Sequence, residues 1–322
     1  MKTYNLIELN KLSQDLNYNR DSLEKVLRLI EVLKFLNKHQ ELKGKYILKG
    51  GTAINLCLFD LPRLSVDIDL DFHENLDKED LEKVRKLHQK VISENVSING
   101  YQISSKSRFT YTLDSYLLKY RNAIGGIDYI KIEINYSNRA HLLTAKEYKI
   151  NSKVVPNTTI LGLDKIELYG SKIAALIGRT TARDIYDVSE MINHQEFKEE
   201  EYEILRKTVI FYLLLSNEFE SLEALLNRFK ININKIDFKN IKRNLIPMLK
   251  LGTNINVKEL KEIVINYIEK LLVITKEEER YIALYNQGKY EPFLLFNQEN
   301  IVDKIKDHPM VMWKMINFKS NK

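Results

Sequence analysis

The chain has 322 residues, of which 44% are hydrophobic and 29% charged, and its net charge is +6. This composition is typical of a globular protein that is long enough for two domains, and the few glycines and prolines favour helix over loops. The first thirty residues carry charges and amides where a secretory signal needs an apolar core, and no run of about twenty apolar residues occurs. We therefore expect a cytoplasmic protein that makes no membrane contact.

Cysteine, histidine and charge content narrow the possible chemistry further. The single cysteine, Cys57, excludes an internal disulfide and a multi-cysteine metal site, and the six histidines show no zinc-ligand spacing. The excess of Lys and Arg over Asp and Glu would assist contact with polyanions such as RNA or nucleotide phosphates.

The first elements are predicted to be helix, strand, turn and helix. Apolar residues at the 3.6-residue period predict a helix over residues 21–39, with Asp21 or Ser22 as its N-cap. The run YILKGGTAINLCL then predicts a short strand, a glycine turn and a second helix that begins near Thr52.

Two later stretches alternate strictly between apolar and polar residues. VDIDLDF predicts a strand with its apolar side chains on one face and Asp67, Asp69 and Asp71 on the other. A helix is predicted near residues 79–95, and DYIKIEINYS predicts another strand, with Glu133 on its polar face.

From about Leu163 the pattern is helical almost to the end. KIELYGSKIAALIGR and ARDIYDVSEMI predict two helices with a break at Thr180 and Thr181, and amphipathic patterns without a fixed repeat follow. We place a domain boundary near residue 195, between a mixed domain over 1–195 and an all-helical domain over 196–322.

Carboxylates at alternate strand positions are typical of metal-dependent phosphoryl transfer. Residues i and i+2 lie roughly 7 Å apart along a strand, so the side chains of Asp67 and Asp69 can share one or two magnesium ions. Asp71 would lie roughly 13 Å from Asp67, too far to share its metal, and we expect it to tolerate replacement. The alternative explanation of a lone Asp-x-Asp is a solvated strand face.

The glycine turn and the second alternating strand add two further candidates for the same chemistry. At Gly50, Gly51 and Thr52, backbone N–H groups and the Thr52 hydroxyl could hold a triphosphate. Glu133 is a further carboxylate on a polar strand face, and its alternative role is a surface charge paired with Lys131.

The pattern of GGT, a short helix and PRLSVDIDLDF resembles the AbiEii/AbiGii toxin family. These are nucleotidyltransferase toxins of bacterial toxin–antitoxin systems related to phage abortive infection, within the polymerase-β-like nucleotidyltransferase superfamily. Arg63 and Ser65 before the aspartates, KIEIN and the helix pair KIAALIGRTTARDIYDV add to the likeness, which covers about residues 45–195 with good specificity. The implied fold class is α+β, a nucleotidyltransferase-like mixed β-sheet flanked by helices and followed by an all-helical C-terminal domain.

The resemblance implies an enzyme that uses Mg²⁺ or Mn²⁺ to transfer a nucleoside monophosphate from an NTP, ATP among them, to an acceptor hydroxyl. The acceptor would be an RNA such as tRNA, and a cognate antitoxin would act on the toxin directly or indirectly. The implied phosphate contacts are Gly50, Gly51, Thr52, Arg63 and Lys172, and the implied metal ligands are Asp67 and Asp69. The implied catalytic residues are Asp67, Asp69, Lys172, Asp187 and Glu133, of which Glu133 would act as the general base.

Each of the later candidates has a structural alternative. Lys172 could be a solvated lysine, Asp184 and Asp187 could belong to an ion pair, and Arg63 could lock the turn before the aspartates. Two other functions stay open as well: a transferase that places AMP or a related group on a protein hydroxyl, and a catalytically silent nucleotide-binding or partner-binding module.

Overall fold

The computed structural model describes residues 4–59, 61–150, 154, 158–216 and 221–320. By its internal contacts the chain divides into two compact units, which are described separately below. Unit 1 comprises Met1–Arg139, Ala145–Leu163 and Pro247–Thr253, and unit 2 comprises Ala140–Thr144, Asp164–Ile246 and Asn254–Lys322. The domain boundary near residue 195 stays a prediction.

Unit 1 contains a β-sheet and the first four helices. Its strands are β1 (Tyr46–Lys49), β2 (Asp67–Phe72), β3 (Gln102–Ile103), β4 (Arg108–Phe109), β5 (Leu113–Arg121), β6 (Ile127–Asn135), β7 (Lys146–Lys149) and β8 (Thr159–Gly162). Its helices are α1 (Leu6–Leu16), α2 (Arg20–Lys38), α3 (Gly50–Ala53), which continues as a π-helical turn (Ile54–Leu58), and α4 (Lys78–Ile98).

The sheet is mixed, as the predicted fold class requires. Its strand order is β3-β5-β6-β2-β1-β8-β7, and β4 also pairs with β5. The pairs β2/β6 and β1/β8 are parallel, and the remaining pairs are antiparallel. Strand β2 therefore lies in the interior of the sheet, with β1 on one side and β6 on the other.

The predicted alternation in β2 is confirmed on the apolar side. Ile68, Leu70 and Phe72 are all buried, and Ile68 lies opposite Ile132 of β6. Helix α4 covers this face, where the rings of His88 and Phe72 are 6.2 Å apart. Removal of these side chains from water is the main force that fixes which face of β2 points inward.

Helix α2 confirms the predicted periodicity but not its predicted cap. The side chain of Asn19 accepts the backbone N–H groups of Asp21 and Ser22, at 3.0 and 3.1 Å. Asp21 and Ser22 therefore lie in the first turn, and the prediction that one of them is the N-cap was wrong. The first N–H groups of a helix have no partner within the helix, and an Asn at the N-cap accepts them. In α2 these N–H groups belong to Asp21 and Ser22.

Unit 2 is helical in its described residues. Its helices are α5 (Lys165–Arg179), α6 (Ala182–Asn193), α7 (Tyr202–Ser216), α8 (Leu222–Lys235), α9 (Phe238–Asn244), α10 (Val257–Leu271), α11 (Lys276–Tyr285), α12 (Glu299–Ile305) and α13 (Pro309–Ser320). Helices α5 and α7 approach closely at Gly170, where an added Cβ would lie 2.4 Å from the Thr208 side chain. None of the described helices in either unit has the length and apolarity needed to cross a membrane.

The predicted break between α5 and α6 is confirmed. Thr180 ends α5 in the left-handed backbone conformation (φ +48°), and Thr181 caps α6 by accepting the Asp184 N–H at 3.3 Å. The reversal at these two residues allows side chains of the two helices to meet.

Candidate active site

The candidate residues of unit 1 lie on one side of the central strands. We call the side of the sheet that carries Asp67, Asp69 and Asp71 the polar face. In the strand register Lys49 of β1 lies opposite Asp69, and Asp69 lies opposite Glu133 of β6. Three charged residues from three neighbouring strands thus form one row, and Asp67 is the next residue along β2 on the same face.

The glycine pair allows two charged side chains to approach the backbone. Gly50 has φ +69°, and a Cβ there would lie 2.6 Å from Asp69 Oδ2. A Cβ at Gly51 would lie 2.6 Å from Nη2 of Arg63 and 3.3 Å from Oγ of Ser65. Both positions are therefore occupied by glycine for a steric reason, and Gly50 also for a conformational one.

The hydroxyl group of Thr52 makes hydrogen bonds within unit 1. Its side chain is buried, and its hydroxyl lies 2.9 Å from Ser65 Oγ and within hydrogen-bond distance of the Asp67 carbonyl. These contacts join the turn after β1 to the start of β2. A contact between Thr52 and a nucleotide phosphate stays a prediction.

Arg63 lies in the core although it carries a charge. Its exposed fraction is 2%, Nη1 donates to the Leu64 carbonyl at 2.9 Å, and its backbone N–H donates to Asn55 Oδ1 at 3.3 Å. Together with the approach of its guanidinium to Gly51, this is the geometry of a residue that locks the turn before β2. Phosphate contact by Arg63 stays a prediction.

Glu133 has both features that the sequence suggested. It lies on the polar face beside Asp69, and it pairs with Lys131 Nζ at 2.8 Å. Its side chain is about one-quarter exposed (28%), so water or a substrate hydroxyl could reach the carboxylate. The pair with Lys131 matches the surface-charge alternative as geometry, and the general-base role of Glu133 stays a prediction.

Asp71 is buried completely. Its Oδ1 lies 2.6 Å from Lys49 Nζ, and its Oδ2 accepts the side-chain amide of Asn138 at 3.0 Å. Removing one partner of a buried ion pair leaves the other charge without compensation, which is strongly destabilising. The structure therefore argues against our expectation that Asp71 tolerates replacement.

The candidate residues of unit 2 form a buried cluster of charges. Lys172 is 5% exposed, and its Nζ lies 2.9 Å from both Asp184 Oδ1 and Asp187 Oδ2. Arg179 adds a contact of 2.7 Å to Asp184. The alternative that Lys172 is a solvated lysine is wrong, because Lys172 is buried. The alternative that Asp184 and Asp187 belong to an ion pair is confirmed by these distances.

The same cluster lowers the pKa of Asp184. Burial alone would raise the pKa of Asp184, but the Lys172 ammonium and the Arg179 guanidinium together hold it well below the usual value. Asp184 is therefore ionised at all physiological pH values.

Sequence analysis missed Lys49 and Asn138 as neighbours of the site. Lys49 immediately precedes the glycine pair, but its position opposite Asp69 depends on the pairing of two segments about twenty residues apart. Asn138 follows β6 at the end near Asp71. No local pattern in the sequence reports either contact.

The carboxylates of β2 fit a divalent ion that takes most of its ligands from elsewhere. Among the described residues there is no group of three or more His, Cys, Asp or Glu side chains placed to hold a metal ion. Mg²⁺ commonly uses only one or two protein carboxylates and completes its shell with water and substrate phosphates. Asp67 and Asp69 provide such a pair, so the donor set suits Mg²⁺ or Mn²⁺ bound together with a nucleotide.

A mixed sheet with alternate carboxylates on an interior strand, next to a glycine turn, is the arrangement expected of a nucleotidyltransferase. A family model described as "Nucleotidyl transferase AbiEii toxin, Type IV TA system" matches residues 34–264, more than half of the chain. The chain belongs to this family of nucleotidyltransferase toxins of type IV toxin–antitoxin systems, which confirms the resemblance seen in the sequence.

The fold is shared with a solved toxin of the same general kind. MenT4, a nucleotidyltransferase toxin from Mycobacterium tuberculosis, superposes with a TM-score of 0.63 over 94% of this chain and 98% of its own, at 14% sequence identity. At this identity the likeness shows the fold alone. A comparison with curated protein sequences gives no match.

Proposed function

We propose that this toxin transfers a nucleoside monophosphate from an NTP to a hydroxyl group of an RNA acceptor, such as a tRNA. The observation that carries the proposal is the row of charges on the polar face, where Asp69 lies between Lys49 and Glu133 and against the backbone of Gly50. The net charge of +6 supports a polyanionic acceptor. A cognate antitoxin, direct or indirect in its action, and a cytoplasmic location belong to the same proposal.

The proposed reaction is an in-line displacement at the α-phosphate. The acceptor oxygen forms a new P–O bond while the bond to the β-phosphate oxygen breaks, and pyrophosphate leaves with the bonding electrons. Glu133 takes the proton of the attacking hydroxyl, because it is partly exposed and lies in the same row as Asp69. Asp67 and Asp69 would hold a divalent ion, which when bound lowers the pKa of the attacking hydroxyl and offsets phosphate charge.

The remaining residues bind or orient in this proposal. Gly50, Gly51, Thr52 and Arg63 are proposed to contact the phosphates, and Thr52 and Arg63 also fix the shape of the turn. Lys172 and Asp187 are proposed to contribute to transfer, as the family resemblance implies. Their buried ion pair also has a structural role, so their variants need a separate control for folding.

The test is transfer of label from each α-labelled NTP, with magnesium, to total bacterial RNA or lysate protein. Label in RNA that is lost in Asp69→Asn supports the proposal. The matched control is Asp128→Asn, which also removes a carboxylate from the sheet, where it pairs with Lys25 at 2.9 Å. Equal transfer by wild type and Asp69→Asn would show that the assigned site is wrong.

The other two functions are outcomes of the same experiment. Label found only in protein would support the protein-modifying transferase, and NTP binding without any transfer would support the silent module. Induction in a bacterial host gives a second measurement. We expect the wild type to slow growth, and an Asp67→Ala or Lys172→Ala variant that is folded and equally toxic would contradict the link between this chemistry and toxicity.

A further inference from the structure

Lys49 connects the polar face of the sheet to the core of unit 1. Its ammonium group lies 2.6 Å from Oδ1 of Asp71, which is fully buried, while a quarter of the Lys49 side chain is exposed. Asn138 donates to the other carboxylate oxygen of Asp71 at 3.0 Å. The ammonium is thus held by a buried carboxylate, while part of the Lys49 side chain is exposed to solvent.

The strand register places this cation directly beside a proposed metal ligand. Lys49 lies opposite Asp69 in the antiparallel pair of β1 and β2, where side chains of opposed residues have Cβ atoms roughly 4.5–5.5 Å apart. An ammonium group has three hydrogen-bond donors, and its contact with Asp71 is an ion pair on one side of the group. The group can therefore keep its anchor and still bind a second anion.

Two other cations of unit 1, Lys131 and Arg63, are also held by neighbouring groups. Lys131 pairs with Glu133 at 2.8 Å, and the Arg63 guanidinium is buried against Gly51. The two carboxylates proposed to hold a metal, Asp67 and Asp69, and an incoming triphosphate would together bring many negative charges to this face. A lysine fixed in place beside Asp69 lowers that repulsion without losing side-chain freedom on binding.

We propose that Lys49 contacts the phosphate oxygens of the NTP, and that Asp71 and Asn138 are positioning residues that hold its ammonium group. This inference rests on the proposed function, because it assigns a further phosphate contact to the same site. The competing explanation is that the Lys49–Asp71 pair only joins β1 to β2.

The experiment measures the affinity of folded protein for a non-hydrolysable NTP analogue with magnesium, by calorimetry, next to a thermal melt. We expect Lys49→Met to weaken binding by roughly tenfold or more, since a hydrogen bond to a charged group is lost. Lys49→Arg should restore most of the affinity. The matched control is Lys45→Met, which removes the lysine next to the other end of β1, where it pairs with Glu74, and should change affinity less than about twofold.

A double variant separates phosphate contact from a purely structural role. Lys49→Met alone removes the Lys49 cation from the buried Asp71 carboxylate and should lower the melting temperature. Adding Asp71→Asn removes that buried charge, so Lys49→Met/Asp71→Asn should regain stability but not affinity. Affinity that returns with stability, or that never falls in Lys49→Met, overturns the inference.

Failure of the inference can be told from failure of the proposed function. If the wild type binds the analogue, Asp69→Asn weakens that binding and Lys49→Met does not, only the role of Lys49 is refuted. If the folded wild type does not bind any NTP analogue, the proposed function is refuted and the role of Lys49 with it.

Discussion

Replacing Gly50 with alanine should damage transfer far more than it damages folding. At φ +69° an L-residue costs roughly 1–2 kcal/mol of folding free energy. The new Cβ would lie 2.6 Å from Asp69 Oδ2, so the carboxylate must move by about 0.8 Å to reach ordinary contact near 3.4 Å. A flexible side chain can make that shift at little energetic cost, but it leaves the position in which we propose that it holds the metal.

The expected result is a fall of roughly 2–8 °C in melting temperature and a loss of transfer rate on the order of 100-fold. The assay is the initial rate of label incorporation from NTP, measured beside a thermal melt of the same sample. Gly44→Ala is the matched control, because Gly44 has φ +78° and no heavy atom within 4 Å of the added Cβ. It should lose stability to the same extent and keep its transfer rate.

Two results would refute this reasoning. A Gly50→Ala protein that transfers within about threefold of the wild type would show that the position of the Asp69 carboxylate does not limit the reaction. A Gly44→Ala protein that loses transfer as strongly would show that backbone strain, rather than displacement of Asp69, causes the loss.

Three further predictions concern the buried charges. Lys172→Met should lower the free energy of unfolding by about 3–5 kcal/mol in urea titrations, because Asp184 and Asp187 lose a partner 2.9 Å away. The folded pKa of Asp184 lies below the unfolded value of about 3.9. The contribution of Asp184 to the free energy of unfolding is therefore complete above that pH and is lost as the pH falls through the folded pKa. Asp184→Asn should flatten the acid side of a profile of stability against pH. Asp71→Ala should lower the free energy of unfolding by about 3–5 kcal/mol, because the Lys49 ammonium loses its buried counter-charge. A thermal melt unchanged from the wild type would instead support the expectation from the sequence that Asp71 tolerates replacement.

The sequence was sufficient for features that depend on local periodicity. The alternation of VDIDLDF and of DYIKIEINYS predicted β2 and β6 and the faces on which Asp69 and Glu133 lie, because successive strand residues point to opposite sides. The break at Thr180 and Thr181 was predictable because the apolar stripe of α5 stops there. These signals lie within about ten residues of the features that they determine.

The features that the sequence could not predict depend on contacts between distant segments. Asp71 was expected to tolerate replacement, but it is covered by Lys49 from β1 and Asn138 from beyond β6. The sequence suggested that Arg63 locks the turn, but not that its guanidinium lies beside Gly51. Strand order and side-chain direction decide such contacts, and both are properties of the assembled sheet.

The buried charges also limit what single substitutions can show about function. Removing Lys172 leaves two buried carboxylates, so loss of toxicity in Lys172→Met would follow from misfolding as readily as from lost chemistry. Asp184 also contacts Arg179 at 2.7 Å and should keep that partner when Lys172 is replaced, whereas Asp187 loses the pair with Lys172. Lys172→Met combined with Asp187→Asn should therefore recover stability, and only loss of transfer in this stable double variant would assign these residues to the reaction.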